Sequence, residues 1–271
     1  LLSPCCAQTV PSEALQQAMQ RDETAFLQSM SPTLQHTQAL AVRMAIQGDT
    51  RALQQIRESR NVAPTLPEGV KAVTLTPTMT LFRSTQPTSK PRPVLLYLHG
   101  GGWCFGSINS CMRFCAAVAK RANICVVALN YRLAPEHAYP APIDDCRMAF
   151  NYLKGHAAEF GGDTTRVSIG GDSAGGNLAI ATAMTVGGKS SVYSLIPIYP
   201  VTELFTRSTP SWRTYAQGYG DDAELLEAFN EAYAAGQQQS PLVSVGLATD
   251  DTLQQLPPVL LISAGHDILF D

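Results

Sequence analysis

Five strand-length runs of continuous hydrophobicity set the fold class of this 271-residue chain: residues 94–98, 125–129, 167–170, 194–198 and 259–263. A strand that is apolar at every position, rather than at alternate ones, is covered on both faces, as happens when helices sandwich a parallel sheet. Helical stretches separate the runs, so the expected class is α/β, a mostly parallel sheet flanked by helices. The runs fall far short of the roughly 20 residues that a membrane-spanning helix needs, so no membrane partner is expected. Ahead of them, Val73, Leu75, Leu81 and Phe82 predict two short strands joined by a turn at Pro77 and Thr78.

Around that sheet the chain divides into segments. Residues 12–60 are rich in Gln, Ala and Leu, with Leu34, Ala41, Met44 and Ala45 near helical spacing, and read as two or three helices of a cap. The core is expected over residues 70–271, interrupted at about 201–257 by an insertion containing a helix near 222–235. Such an insertion lies over the carboxyl ends of the strands, where open α/β sheets bind ligands. Residues 1–11 resemble the remnant of a signal peptide, with Cys5 and Ala7 as small residues flanking a cleavage point. Export to the periplasm or outside is the expectation, and an ordinary frayed terminus of a cytoplasmic chain the alternative. A net charge of −3 and a pI near 6.0 give no electrostatic reason to expect nucleic acid. Seven cysteines leave at least one thiol unpaired if all disulfides are internal. Cys111 and Cys115 have no second Cys/His pair at ligand spacing, so no metal site is expected and the cysteines read as small buried hydrophobes.

The third run leads directly into Gly171-Asp172-Ser173-Ala174-Gly175, and an Ala-rich helical stretch, residues 177–186, follows. A glycine two residues to either side of the serine permits a sharp strand-to-helix turn that exposes the hydroxyl at the top of the sheet. Ser173 is therefore the candidate nucleophile. A phosphate-binding loop is the competing reading, but its lysine and hydroxyl pair is missing. The first run ends in His99-Gly100-Gly101-Gly102-Trp103. Three consecutive glycines let backbone N–H groups turn to one point, which acyl transfer needs for the oxyanion of its tetrahedral intermediate. Gly101 and Gly102 are the expected donors, joined by the N–H of Ala174. His99 is expected to hydrogen-bond locally and hold the loop rather than to act as a base.

Together with Tyr131-Arg132-Leu133-Ala134-Pro135-Glu136, Pro140, Asp144, Asn177 and Ala264-Gly265-His266-Asp267, these motifs resemble the hormone-sensitive-lipase-like branch of the α/β-hydrolases, which includes bacterial acetyl esterases. The resemblance covers residues 91–271, and the amino-terminal helices are similar to the family's cap in kind only. It implies an α/β-hydrolase fold and a serine carboxylesterase acting on small-molecule esters with short, acetyl-like acyl chains. Ser173 matches the nucleophile, Gly101, Gly102 and Ala174 the oxyanion hole, and Asp267 the acid that orients the base. Asp267 also closes the last strand run after a turn glycine, Gly265, in the Ser, Asp, His chain order of this fold. A helix N-cap is the other reading of Asp267, and Asp271 is the alternative acid. Asp172 is expected to shape the turn at Ser173, Glu136 and Asp144 to support the catalytic loops, and Trp103, Tyr199 and the cap to narrow the acyl pocket. No metal or organic cofactor is implied.

The departure from that family lies in the base. A histidine must take the proton from Ser173, and in this chain order it follows Asp267, yet residues 268–271 contain none. His266 is adjacent to Asp267, so their side chains diverge; His36 and His156 fall on helices, and His137 in an irregular loop. The expectation is a chain truncated before its base, with the last strand and helix missing and a sheet edge left unprotected. The competing function class is a small-molecule binder, since the plant gibberellin receptors resemble this family with the histidine lost. An amidase or lactone hydrolase on the same machinery is a third reading.

Overall fold

The computed structural model describes residues 32–271. The expected signal-peptide remnant, and the cap segment up to residue 31, lie outside them. Six strands form one sheet: β1 (Val70–Thr76), β2 (Met79–Ser84), β3 (Arg92–Leu98), β4 (Cys125–Leu129), β5 (Gly162–Asp172) and β6 (Leu195–Ile198), in the order β1-β2-β4-β3-β5-β6. β2 pairs antiparallel with β1 and with β4, whereas β4, β3, β5 and β6 are mutually parallel.

The unbroken hydrophobicity of the central strands has the expected cause. On one face of β3 and β4, Leu95, Tyr97, Val126 and Ala128 pack with Cys111, Cys115 and Ala119 of α3 (Ile108–Ala122). On the other, Val94, Leu96, Leu98, Val127 and Leu129 pack with residues of α4 (Ala141–His156) and α5 (Ala174–Thr185). Alternate side chains thus enter two separate cores, and both cores require apolar residues. Cys104, Cys111, Cys115, Cys125 and Cys146 are buried free thiols within them.

The fifth run behaves differently. Residues 259–262 reach β6 only through parallel bridges, Leu195 with Val259 and Ile198 with Ile262, and do not form a full strand. Val259, Leu260, Leu261 and Ile262 are 48%, 58%, 60% and 43% exposed, so continuous hydrophobicity here does not mean cover on both faces. Among the described residues, this run bridges β6 and no other strand.

Helices α1 (Pro32–Ile46) and α2 (Arg51–Arg60) precede the sheet, and the insertion carries α6 (Pro210–Thr214), α7 (Ala223–Ala234) and α8 (Asp250–Leu253). α1 packs against α7. Gln35 clasps the turn before α7, its side-chain oxygen accepting from the Asp222 N–H at 2.6 Å and its amide donating to the Gly220 carbonyl. The buried face of α1 is formed by Gln35, Gln38, Ala39, Ala41, Val42 and Ala45. Leu34 and Met44, which the spacing groups with Ala41 and Ala45, are exposed instead, and Gln35 and Gln38 share the buried face with the small apolar residues. Among the described residues no helix is long and apolar enough to cross a membrane.

Candidate active site

Ser173 stands between the last residue of β5 and the first of α5, with φ 52° and ψ −119°. A non-glycine residue rarely adopts such angles, and here the surroundings impose them. The Ser173 N–H donates to the Ile198 carbonyl at 2.9 Å, while its own carbonyl accepts from Asn177 at 3.1 Å as α5 begins. Asn177 anchors that helix to the insertion, its amide donating to the carbonyls of Val201 and Val243 at 2.9 and 2.8 Å. Gly175 is needed for close approach: a Cβ there would lie 2.0 Å from the Leu98 carbonyl oxygen and 2.7 Å from that of His99. The start of α5 is thus pressed against the end of β3, where the glycine loop begins.

In that loop Gly101 has φ 114°, and its carbonyl accepts from the N–H groups of Cys104 and Phe105 at 3.1 and 2.8 Å. Among the described residues, no backbone carbonyl takes the N–H of Gly101, Gly102 or Ala174. His99 is 1% exposed, with Nδ1 2.9 Å from the Gly100 carbonyl oxygen and its ring stacked on Tyr131, centroids 4.3 Å apart. The Tyr131 hydroxyl donates to the His99 carbonyl at 2.7 Å. Burial holds the imidazole down at about 4. This histidine is therefore neutral at ordinary pH and braces the loop. Asp172 ties the same loop to β5, because burial raises its carboxyl while Tyr97 donates to it at 2.8 Å and the Gly100 N–H also donates to it.

A cavity of about 580 Å³ opens beside the loop. Of the residues singled out in the sequence, His99, Gly101, Asp172 and Tyr199 line it; Ser173, Gly102, Ala174 and Asp267 are not among its walls. Trp103 is not either. Its ring is 1% exposed and stacked on Tyr233 with centroids 4.3 Å apart, so the expectation that it narrows the acyl pocket is corrected: it packs the core beneath the cap. Phe105 and Phe114 line the cavity in its place. Burial, followed by Asp172, Asp267 and Asp221, pushes the Tyr199 phenol up to about 12, which marks an acid-rich edge of the site. Asp267 accepts from the Leu269 N–H at 2.9 Å, and burial outweighs that bond to raise its carboxyl. The alternative acid, Asp271, accepts from the Ser211 N–H at 2.6 Å.

Glu136 accepts from Arg57 through both oxygens, at 2.7 and 2.9 Å, and from Gln54 at 3.0 Å, which joins α2 to the loop after β4. The role expected of Asp144 falls to its neighbour. Asp144 pairs with Arg147 at the surface, whereas Asp145 accepts from the backbone N–H and guanidinium of Arg132 at 2.8 to 3.0 Å. Two adjacent carboxylates near a helix start point to different sides, and sequence alone does not say which one meets the loop. Tyr97, Arg57 and Asp221 were not anticipated; a buried tyrosine two residues before His99 was the only available signal.

No histidine among the described residues is hydrogen-bonded to Ser173. His36 lies 2.9 Å from Glu224, His156 stacks on Tyr152, His266 meets the edge of Tyr215, and His137 is exposed. Nor is any group of three potential metal ligands present among them.

A family model described as alpha/beta hydrolase fold matches residues 95–271. The chain is 39% identical over 185 residues to the carboxylesterase NlhH of Mycobacterium tuberculosis, covering 66% of this chain and 57% of that protein. It is 36% identical over 191 residues to the esterase LipI of the same organism, covering 69% and 59%, and 38% identical over 182 residues to the ethyl acetate hydrolase of Pseudomonas putida, covering 65% and 56%. It thus spans somewhat more than half the length of these relatives. Among solved structures, an α/β-hydrolase from the metagenome of Lake Arreo superposes with a TM-score of 0.68 at 30% identity, covering 82% of this chain and 72% of that one. The strained serine turn, the glycine loop braced against it and these matches lead to one conclusion: the chain belongs to the α/β-hydrolase family, in its hormone-sensitive-lipase-like branch.

Proposed function

We propose that this chain carries the nucleophile and oxyanion hole of a serine carboxylesterase for short-chain acyl esters. The observation that carries the reading is the contact of two backbone devices: the strained turn presenting Ser173, and the glycine loop held against it at Gly175. In this reading the Ser173 hydroxyl attacks the ester carbonyl, and the N–H groups of Gly101, Gly102 and Ala174 receive the developing oxyanion. The alcohol then leaves with a proton, and water releases the acid from Ser173. Asp267 orients the general base, a histidine in the Ser, Asp, His chain order of this fold. The names of the relatives support ester hydrolysis, and that of the ethyl acetate hydrolase supports a small acyl group.

The test is hydrolysis of nitrophenyl acetate and labelling by a fluorophosphonate, in the chain and in Ser173→Ala. Labelling that vanishes with the hydroxyl supports the reading, with turnover slow in a chain where no histidine meets Ser173; labelling or turnover that survives in Ser173→Ala overturns the nucleophile assignment. A chain that neither labels nor turns over the ester, yet binds small esters, is the receptor-like protein instead.

A further inference from the structure

The cavity beside the glycine loop holds a cation that ester hydrolysis does not use. Arg60, the last residue of α2, lines the same cavity as Gly100 and Gly101. Its guanidinium carbon lies 4.9 Å from the centroid of the Phe105 ring. That ring is itself fixed. Phe105 is 1% exposed, its N–H donates to the Gly101 carbonyl at 2.8 Å, and its ring meets Phe229 edge-on at 5.5 Å. The cation therefore stands one side chain away from the oxyanion loop.

The two arginines of α2 differ in how their donors are used. Arg57 donates to Glu136, Ala134 and Cys104, which makes it part of the scaffold. Among the described residues, Arg60 makes the ring contact with Phe105 but no hydrogen bond or ion pair, and Asp221 acts on it only at longer range. The one carboxylate in the cavity wall, Asp172, is already taken up by Tyr97 and Gly100. A guanidinium stacked on an aromatic face keeps its planar fork of N–H donors available, and that fork matches a carboxylate.

We propose that Arg60 selects esters that carry a carboxylate a few bonds from the scissile carbonyl, by pairing with it across the cavity from the glycine loop. The ester half of this statement rests on the carboxylesterase reading, and the carboxylate half on Arg60 alone. The carboxylate belongs to either the acyl or the alcohol part, and two matched pairs separate these sources. Monoethyl glutarate against ethyl pentanoate places the charge on the acyl side; acetylglycolate against ethyl acetate places it on the alcohol side.

In one of the two pairs the charged ester has a KM about fivefold below that of its neutral partner at low salt, the size of effect that a partly solvated ion pair gives. That preference disappears in Arg60→Gln, is partly kept in Arg60→Lys, and shrinks in 1 M salt, where the screening length is about 3 Å. Equal KM values in both pairs, or a preference unchanged in Arg60→Gln, overturn the proposal. The carboxylesterase reading stands or falls separately on fluorophosphonate labelling of Ser173; if no ester is hydrolysed, calorimetric binding of the same four esters to the chain and to Arg60→Gln decides the role of Arg60. Selective binding of a charged ester that is lost in the variant supports the role of Arg60, and binding indifferent to charge refutes it.

Discussion

Gly175→Ala reverses the usual sign of a glycine-to-alanine change in a helix. Within a helix that change ordinarily stabilises by about 0.5–1 kcal/mol, because alanine loses less backbone entropy on folding. At Gly175 the new Cβ would lie 2.0 Å from the Leu98 oxygen, 2.6 Å from the Leu98 carbonyl carbon and 2.7 Å from the His99 oxygen. The closest comfortable carbon–oxygen contacts are about 3.3 Å, so α5 and the end of β3 must separate by about 1.3 Å. All three atoms are backbone, so no side-chain rotation relieves the clash, and a close-packed interior yields only at a cost of about 1–3 kcal/mol. The net loss is about 1 kcal/mol, or roughly 2–4 °C in melting temperature for a chain of this size. The same shift moves the Ala174 N–H away from those of Gly101 and Gly102, and a displacement of about 1 Å costs on the order of 100-fold in turnover. Thermal denaturation followed by circular dichroism reads the first effect and ester hydrolysis the second. Gly155→Ala is the control, since it lies in α4 and no atom falls within 4 Å of its Cβ; it should gain about 0.5–1 kcal/mol. A Gly175→Ala protein that melts at or above the parent temperature would refute the close-approach reasoning.

Other consequences are open to direct measurement. Arg57→Met should lower stability by about 2–4 kcal/mol, because it leaves the carbonyls of Ala134 and Cys104 without their donor and Glu136 with Gln54 in place of the guanidinium; a urea titration showing less than about 0.5 kcal/mol would mean that the α2 anchor contributes little. Burial holds His99 at about 4 against an ordinary 6.5, so between those values the unfolded chain binds a proton that the folded chain does not. The stability that His99 contributes is complete above 6.5 and is lost toward 4, by about 3 kcal/mol. Asp221 acts in the opposite sense: burial, then Asp267, raise it from 3.8 to about 6, so stability is lost as pH rises through that window. Asp221→Asn should therefore deepen the fall in melting temperature between pH 7 and pH 4.5; equal falls in variant and parent would remove Asp221 from the account. Tyr97→Phe leaves the buried Asp172 carboxyl without a donor at 2.8 Å and should cost about 1.5–3 kcal/mol, checked in the same titration.

Much of the site was legible because it is written in backbone chemistry. A serine held at φ 52° and a helix pressed onto a strand both demand glycine at fixed offsets, so Gly171 to Gly175 announce the turn without any tertiary information. Likewise, strands buried on two faces must be apolar throughout, and β3, β4 and β5 fall on the runs that predict them. The 259–263 run shows the limit of that rule, since hydrophobicity records what a strand needs and not what is present to cover it.

Composition and order along the chain, by themselves, determined the α/β class, the place of the nucleophile candidate and the loop expected to face it, because these follow from local spacing and backbone geometry. Only the tertiary structure decided that Asp145 rather than Asp144 holds Arg132, that Trp103 is buried against Tyr233, and that Arg60 keeps its donors toward the cavity while Arg57 does not. Each of these turns on which side of an element a side chain leaves, and on what a distant segment places there. Adjacent residues of the same chemistry are alike in sequence and are told apart only when the chain folds back on them.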